Sequence, residues 1–303
     1  MSILRPISYD GEYRDLYIVP GTPTLYLGKF DLLILADLHL GFEEAVARGL
    51  DYSSNKTNYA VGMFIPKIQL KKIIESLERV FKVLSPRRVL INGDLKHAFD
   101  RLLRQERLEV REFLNYLYNK GVQEVVVVRG NHDNYLPLVL KDYGIELVNH
   151  YEIDTGEYKL LFTHGHLEVD INKYDIIVIG HEHPSMRCFG TYRFPAFLKI
   201  PTSRAEIIVL PAIGPYHPGT QVSLDRDNYL SPIIKKYGDL DRAKIIVSID
   251  LGEYKEVPTE FSLERELVES GILRIDRFNI LNHEIAIIEF SSIEIALLMC
   301  GSF

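Results

Sequence analysis

The sequence predicts an α/β fold. Two observations carry the prediction: short β-branched runs recur along the chain, and segments of helical period lie between them, several closed by glycine. The strand-like runs are residues 32–36, 88–91, 124–128, 159–162, 175–179, 206–210 and 244–249. Val125–Val128 is a continuous apolar run without alternation, as expected of a strand covered on both faces. Residues 65–84 carry Ile68, Leu70, Ile73, Ile74, Leu77, Val80 and Phe81 at near-helical spacing. Residues 102–118 repeat the pattern before Gly121, and 134–143 do so before Gly144. Strands alternating with helices imply right-handed crossovers and a parallel sheet. From about residue 159 strands dominate, which predicts a more antiparallel second sheet packed on the first. Residues 214–243, rich in Gly, Pro, Asp and Tyr, read as a long loop of the kind that often carries function.

Composition bounds the class. The chain has 303 residues, 47% hydrophobic and 25% charged, enough to bury a sizeable core and incompatible with wholesale disorder. A net charge of -7 disfavours broad binding to a phosphate backbone. Cys188 and Cys300 cannot build a disulfide framework, and a reducing cytoplasm suits them. The N-terminus has no apolar run of the signal-peptide type. The apolar tail 285–300 is interrupted by Glu289 and Glu294 and falls short of a membrane span, so no membrane is expected. Gly21 to Gly28-Lys29 has the wrong spacing for a phosphate loop.

The histidines carry the chemistry. Seven of the ten fall in five short motifs, each directly after a predicted strand. They are Asp37-Leu-His39, Gly93-Asp94-Leu-Lys-His97, Gly130-Asn131-His132-Asp133, Thr163-His164-Gly-His166 and Gly180-His181-Glu-His183. Ligands of an open α/β sheet gather at the carboxyl ends of its strands, so the motifs should converge on one edge. Carboxylate, amide oxygen and imidazole together suit Mn, Fe, Zn or Ni. The donors are too many for one tetrahedral ion. They fit two ions sharing a carboxylate, an arrangement that clamps the oxygens of a phosphoryl group. Two Asp and a bridging hydroxide give -3 against +4, a net positive centre that attracts a phosphate ester.

The series D-x-H, G-D, G-N-H-D, H and G-H-x-H resembles the calcineurin-like metallophosphoesterase superfamily, firmly over residues 30–184. The stretches around Asp37-Leu-His39-Leu-Gly-Phe-Glu-Glu and Gly93-Asp94-Leu-Lys-His97 are similar to a prokaryotic, largely archaeal branch related to the nuclease subunit of the double-strand-break repair complex. The resemblance implies a two-sheet αββα sandwich, with a catalytic domain over residues 1–265 and an extension of unknown role over 266–303. It implies one metal on Asp37, His39, Asp94 and His183, and another on Asp94, Asn131, His164 and His181. The nucleophile would be a metal-bridging hydroxide, and His132 would protonate the leaving oxygen. His166 would line the site. His97 stands where the protein phosphatases of the superfamily place an Asp and where the repair nucleases place a His, which favours a diester. The alternative for His97 is a residue donating to a ligand carboxylate. Lys96 reads as solvated, Arg129 as a phosphate contact or a paired strand end, and Tyr192, Tyr216 and Tyr229 as half-buried packing.

The expected activity is therefore phosphodiester hydrolysis with two divalent ions, Mn first among them. The substrate is a phosphate ester, with nucleic acids and nucleotides among the candidates. A repair nuclease, a phosphomonoesterase and a non-catalytic scaffold are the competing readings.

Overall fold

The computed structural model describes residues 3–9, 15–50, 65–188, 192–217, 219–252 and 264–300. Among them two sheets stack face to face. The first has seven strands in chain order: β1 (Arg5–Pro6), β2 (Leu16–Ile18), β3 (Leu25–Leu27), β4 (Leu32–Leu35), β5 (Arg88–Asn92), β6 (Glu124–Val128) and β7 (Leu147–Val148). β1 to β4 pair antiparallel, and β4 to β7 pair parallel. The second contains β8 (Tyr151–Asp154), β9 (Lys159–Phe162), β10 (Ile176–Ile179), β11 (Pro184–Cys188), β12 (Tyr192–Pro201), β13 (Glu206–Val209), β14 (Thr220–Gln221), β15 (Lys244–Asp250), β16 (Leu273–Ile280) and β17 (His283–Phe290). Its main path runs β16-β17-β15-β12-β13-β10-β9-β8. Most of its pairs are antiparallel, as expected, with β9, β10 and β13 and the pair β11–β14 parallel.

Residue alternation builds the layers. Leu32 and Ile34 of β4 enter the core between the sheets with Phe162, Val178, Ile208 and Ile246. Leu33 and Leu35 face the other way. There they meet the helices α2 (Gln69–Val83), α3 (Arg104–Asn119) and α4 (Pro137–Leu140), while the short α1 (Phe42–Ala47) buries Ala45 in a separate cluster with Ala98 and Leu103. Leu70, Ile73, Leu77 and Val80 line one stripe of α2, and Val110, Phe113, Leu114 and Leu117 line one of α3. The outer face of the second sheet is covered by α5 (Pro232–Tyr237), α6 (Glu264–Glu269) and α7 (Ile293–Met299), with Ile233, Ile234, Ile293 and Ala296 buried there. The result is the four-layer αββα sandwich of the metallophosphoesterase type.

Four local expectations change, and one open segment takes a definite form. The helix expected over 134–143 shrinks to α4 and a 3-10 turn, since Tyr135 sits at φ 65°, in the left-handed region that interrupts a helix. The segment 214–243 is not a bare loop, for it holds β14, a 3-10 turn and α5. Lys96 is fully buried rather than solvated, its ammonium capped by the Ala98 carbonyl. Cys188 and Cys300 are joined as a disulfide, with Cα atoms 4.4 Å apart; α7, packed on β15 and β17, carries Cys300 to the end of β11. Residues 273–290 add two strands to the second sheet, and buried Arg5 pairs with Glu289 there, fixing the first strand to the last. No helix among the described residues is long and apolar enough to cross a membrane.

Candidate metal centre

All five motifs fall at the carboxyl ends of parallel strands: β4, β5 and β6 in the first sheet, β9 and β10 in the second. The loops after β4 and β5 continue the ladder for a few residues. Asp37 N–H donates to Gly93 O at 3.1 Å, and His39 N–H to Asp94 O at 2.9 Å. Two glycines permit the convergence. A Cβ on Gly93 would lie 2.2 Å from His164 Nδ1, and one on Gly130 would lie 2.0 Å from Asp94 Oδ1. Asp37, His39, Asp94, His181 and His183 all have left-handed φ, between 46° and 69°. Such backbone strain gathers at functional sites, where the surroundings over-determine it.

The side chains meet in overlapping groups. His183 Nε2 is 3.0 Å from Asp37 Oδ1, and His39 Nε2 is 3.3 Å from His183 Nε2 and 3.6 Å from Asp94 Oδ2. On the other side, His164 Nε2 is 3.2 Å from both Asp94 Oδ2 and Asn131 Oδ1. One nitrogen or oxygen from each of Asp94, His164 and His181 falls within 4.8 Å of the others, and so does one from each of Asp37, His39 and His183. Donors bound at about 2.0–2.2 Å to a common ion stand roughly this far apart, so the set fits divalent cations. The seven expected ligands therefore lie together.

Burial and charge set the protonation. Burial pulls the His164 imidazolium down, yet the carboxylates of Asp94 and Asp37 outweigh it and push its pKa up to about 10. Asp94 resists its own burial because His164 and His132 hold it as a carboxylate, well below the usual range. Burial lowers His97 and His181 to about 3 and His166 to about 4. His39, His97, His166 and His181 are thus held neutral, while the carboxylates of Asp37 and Asp94 favour the imidazolium of His164 and His183, positive charge that a bound cation would replace.

Neighbouring groups aim these rings. His164 Nδ1 donates to Asn92 O at 2.9 Å, leaving Nε2 toward the carboxylates. His132 Nδ1 donates to the His97 carbonyl, and His132 N–H to Asp94 Oδ1 at 2.9 Å. Its Nε2 lies 4.0 Å from Asp94 Oδ2. Among the described residues the His97 ring makes its hydrogen-bond contact with an imidazole, its Nδ1 lying 3.2 Å from His39 Nδ1. His166 sits farther out, with ring centroids 5.5 Å from His164 and 6.1 Å from His181. Asp133 binds Gly130 N–H at 2.8 Å and Leu95 N–H at 2.9 Å, clamping two motifs together. Glu182 accepts Leu230 N–H at 2.9 Å and fixes the loop before α5. His217 belongs to none of the five motifs; its ring stacks on His39 at 4.0 Å, and the Gly-Pro-Tyr-His-Pro-Gly run at 214–219 is the sequence feature that marks it.

A two-sheet sandwich with paired nitrogen and oxygen donors at its strand ends defines a hydrolase of phosphoric esters. The chain belongs to the calcineurin-like phosphoesterase family, whose profile matches residues 30–185, just over half of it. The nuclease MPE of Pseudomonas putida superposes with a TM-score of 0.53 at 18% identity, covering 80% of this chain and 96% of that one. A novel archaeal phosphodiesterase gives a TM-score of 0.32 at 16% identity, covering 60% of this chain and 83% of that one. No curated protein matches the sequence.

Proposed function

We propose that this chain is a phosphodiesterase using two divalent cations, Mn first among them. One would be held by Asp37, His39, Asp94 and His183, the other by Asp94, Asn131, His164 and His181. The observation that carries the reading is the position of Asp94, which belongs to donor groups on both sides of the centre. Bound cations would supply a hydroxide nucleophile and the charge that gathers phosphate oxygens.

The protein's own residues do the rest. With Nδ1 fixed on the His97 carbonyl, His132 has Nε2 free to protonate the leaving oxygen. His97 braces His39 through the contact between their Nδ1 atoms, and its Nε2 stays available to substrate. His166 lines the His164–His181 side as a contact for a phosphate oxygen.

The test is hydrolysis of bis-p-nitrophenyl phosphate and p-nitrophenyl phosphate by chelated, then Mn-reconstituted protein. Metal-dependent diester cleavage exceeding monoester cleavage is expected. Metal uptake without hydrolysis of either ester would favour the scaffold reading. The nuclease named among the structural neighbours makes nucleic acid the second substrate to test, by cleavage of single- and double-stranded oligonucleotides.

A further inference from the structure

His217 lies outside the five motifs, on a turn fastened to the strand that carries two of the ligands. Ile213 N–H donates to Ala36 O at 3.1 Å, and Gly214 N–H to Asp37 O at 3.2 Å. Tyr216 stacks on Phe42 at 5.3 Å, and its hydroxyl donates to the Pro66 carbonyl. This anchoring lays the His217 ring nearly parallel to His39, 19° from coplanar, with His183 5.4 Å and His97 5.7 Å away by centroid.

Two nitrogens here are buried without a hydrogen-bond partner among the described residues, His217 Nδ1 and His97 Nε2. A stack alone needs no nitrogen, and an unpaired buried donor is costly, so it points to a missing ligand. A metal ion is the rival occupant, since one nitrogen from each of His39, His97 and His217 falls within 4.8 Å of the others. This group brings no carboxylate, however, and His39 already turns its Nε2 to Asp94 and His183. An anionic oxygen needs only N–H groups.

We propose that His217 Nδ1, beside His97 Nε2, donates a hydrogen bond to a phosphate oxygen of the substrate on the Asp37–His39–His183 side of the centre. The proposal rests on the phosphoesterase reading and extends it to a residue that the motifs do not contain.

The test compares His217→Phe, which keeps a stacking ring, with His217→Asn, which keeps an N–H near the Nδ1 position. A His217→Ala variant serves should the larger ring disturb folding. Bound Mn is counted by elemental analysis, inorganic phosphate is titrated into Mn-loaded protein by calorimetry, and KM and kcat are measured on bis-p-nitrophenyl phosphate. Wild-type metal content is expected in His217→Phe, with phosphate affinity weakened about tenfold to a hundredfold. KM should rise with it while kcat changes less, and His217→Asn should recover part of the loss. Unchanged phosphate affinity in His217→Phe and His217→Ala overturns the proposal in favour of packing, and loss of Mn overturns it in favour of a ligand role. Wild-type protein that takes up no metal and no phosphate defeats the phosphoesterase reading, and this proposal with it.

Discussion

Asp94 Oδ2 and His164 Nε2 lie 3.2 Å apart in a fully buried pair, and the same strand end holds both. Asp94 follows β5 directly, while His164 Nδ1 donates to the carbonyl of Asn92, the last residue of β5. The contact joins the two sheets, since His164 follows β9 of the other sheet. Asn92 strengthens the joint by donating its side-chain amide to Thr163 O at 3.0 Å and Val178 O at 3.1 Å. The site is therefore assembled by the inter-sheet core, and its geometry depends on the sandwich as a whole.

Replacing Asp94 by Asn tests the shared carboxylate. One neutral amide cannot serve both donor groups. Mn content should fall below that of the wild type, and hydrolysis should fall by more than the roughly 10–100-fold typical of outer-sphere partners. Elemental analysis and initial rates check this; a variant with wild-type metal content and rate would remove Asp94 from the centre.

His132→Asn should behave differently. In its proposed role His132 protonates the leaving oxygen without holding a metal, so metal content should hold while kcat falls about 10²- to 10⁴-fold on esters with basic leaving groups. The deficit should narrow for p-nitrophenyl esters, whose leaving group needs little protonation. An equal loss on both ester types would sink the general-acid role.

Asp133→Asn probes the clamp. The carboxylate accepts N–H bonds from Gly130 and Leu95, and an amide would set its own N–H against one of them. Burial and the nearby Asp94 charge push the Asp133 pKa up to about 6, so its backbone bonds offset only part of the cost of keeping the carboxylate charged. A loss of about 1–3 kcal/mol is expected. In thermal melts that is a Tm drop of several degrees. Wild-type Tm would show that the clamp contributes nothing.

The parallel strands and the five motifs were legible because each is local. A β-branched run, then Gly or Asp, then His, states its own place in the sheet. Three features were not legible, and each depends on distant packing. His217 reaches the centre only because the segment at Ile213–Gly214 pairs with Ala36 and Asp37. Lys96 is buried because Glu106 of α3 binds the His97 N–H at 3.1 Å and closes the loop over it. Tyr135 ends up at positive φ because the turn after Asn131 is tied down by Asn134, whose amide bonds Phe99 O at 3.0 Å. No local pattern encodes such docking.

Glu109 gives the protein a pH dependence separate from catalysis. Burial pushes its pKa up to about 7; Gln105 opposes the rise with a hydrogen bond, and the Glu43 charge adds to it. In the unfolded chain a glutamate titrates near 4.3. Between roughly pH 4.3 and 7 the folded state therefore holds more protons than the unfolded state, and stability falls as pH rises. The amount at stake is on the order of 3 kcal/mol. Glu109→Gln mimics the neutral acid, which accepts from Gly41 N–H at 2.8 Å or Gln105 Nε2 at 2.7 Å through a single carbonyl. Denaturant unfolding should give nearly equal stabilities at pH 5 and a more stable variant at pH 8. Parallel stability curves for the two proteins across that range would mean that Glu109 is ionised at pH 5 in the folded state.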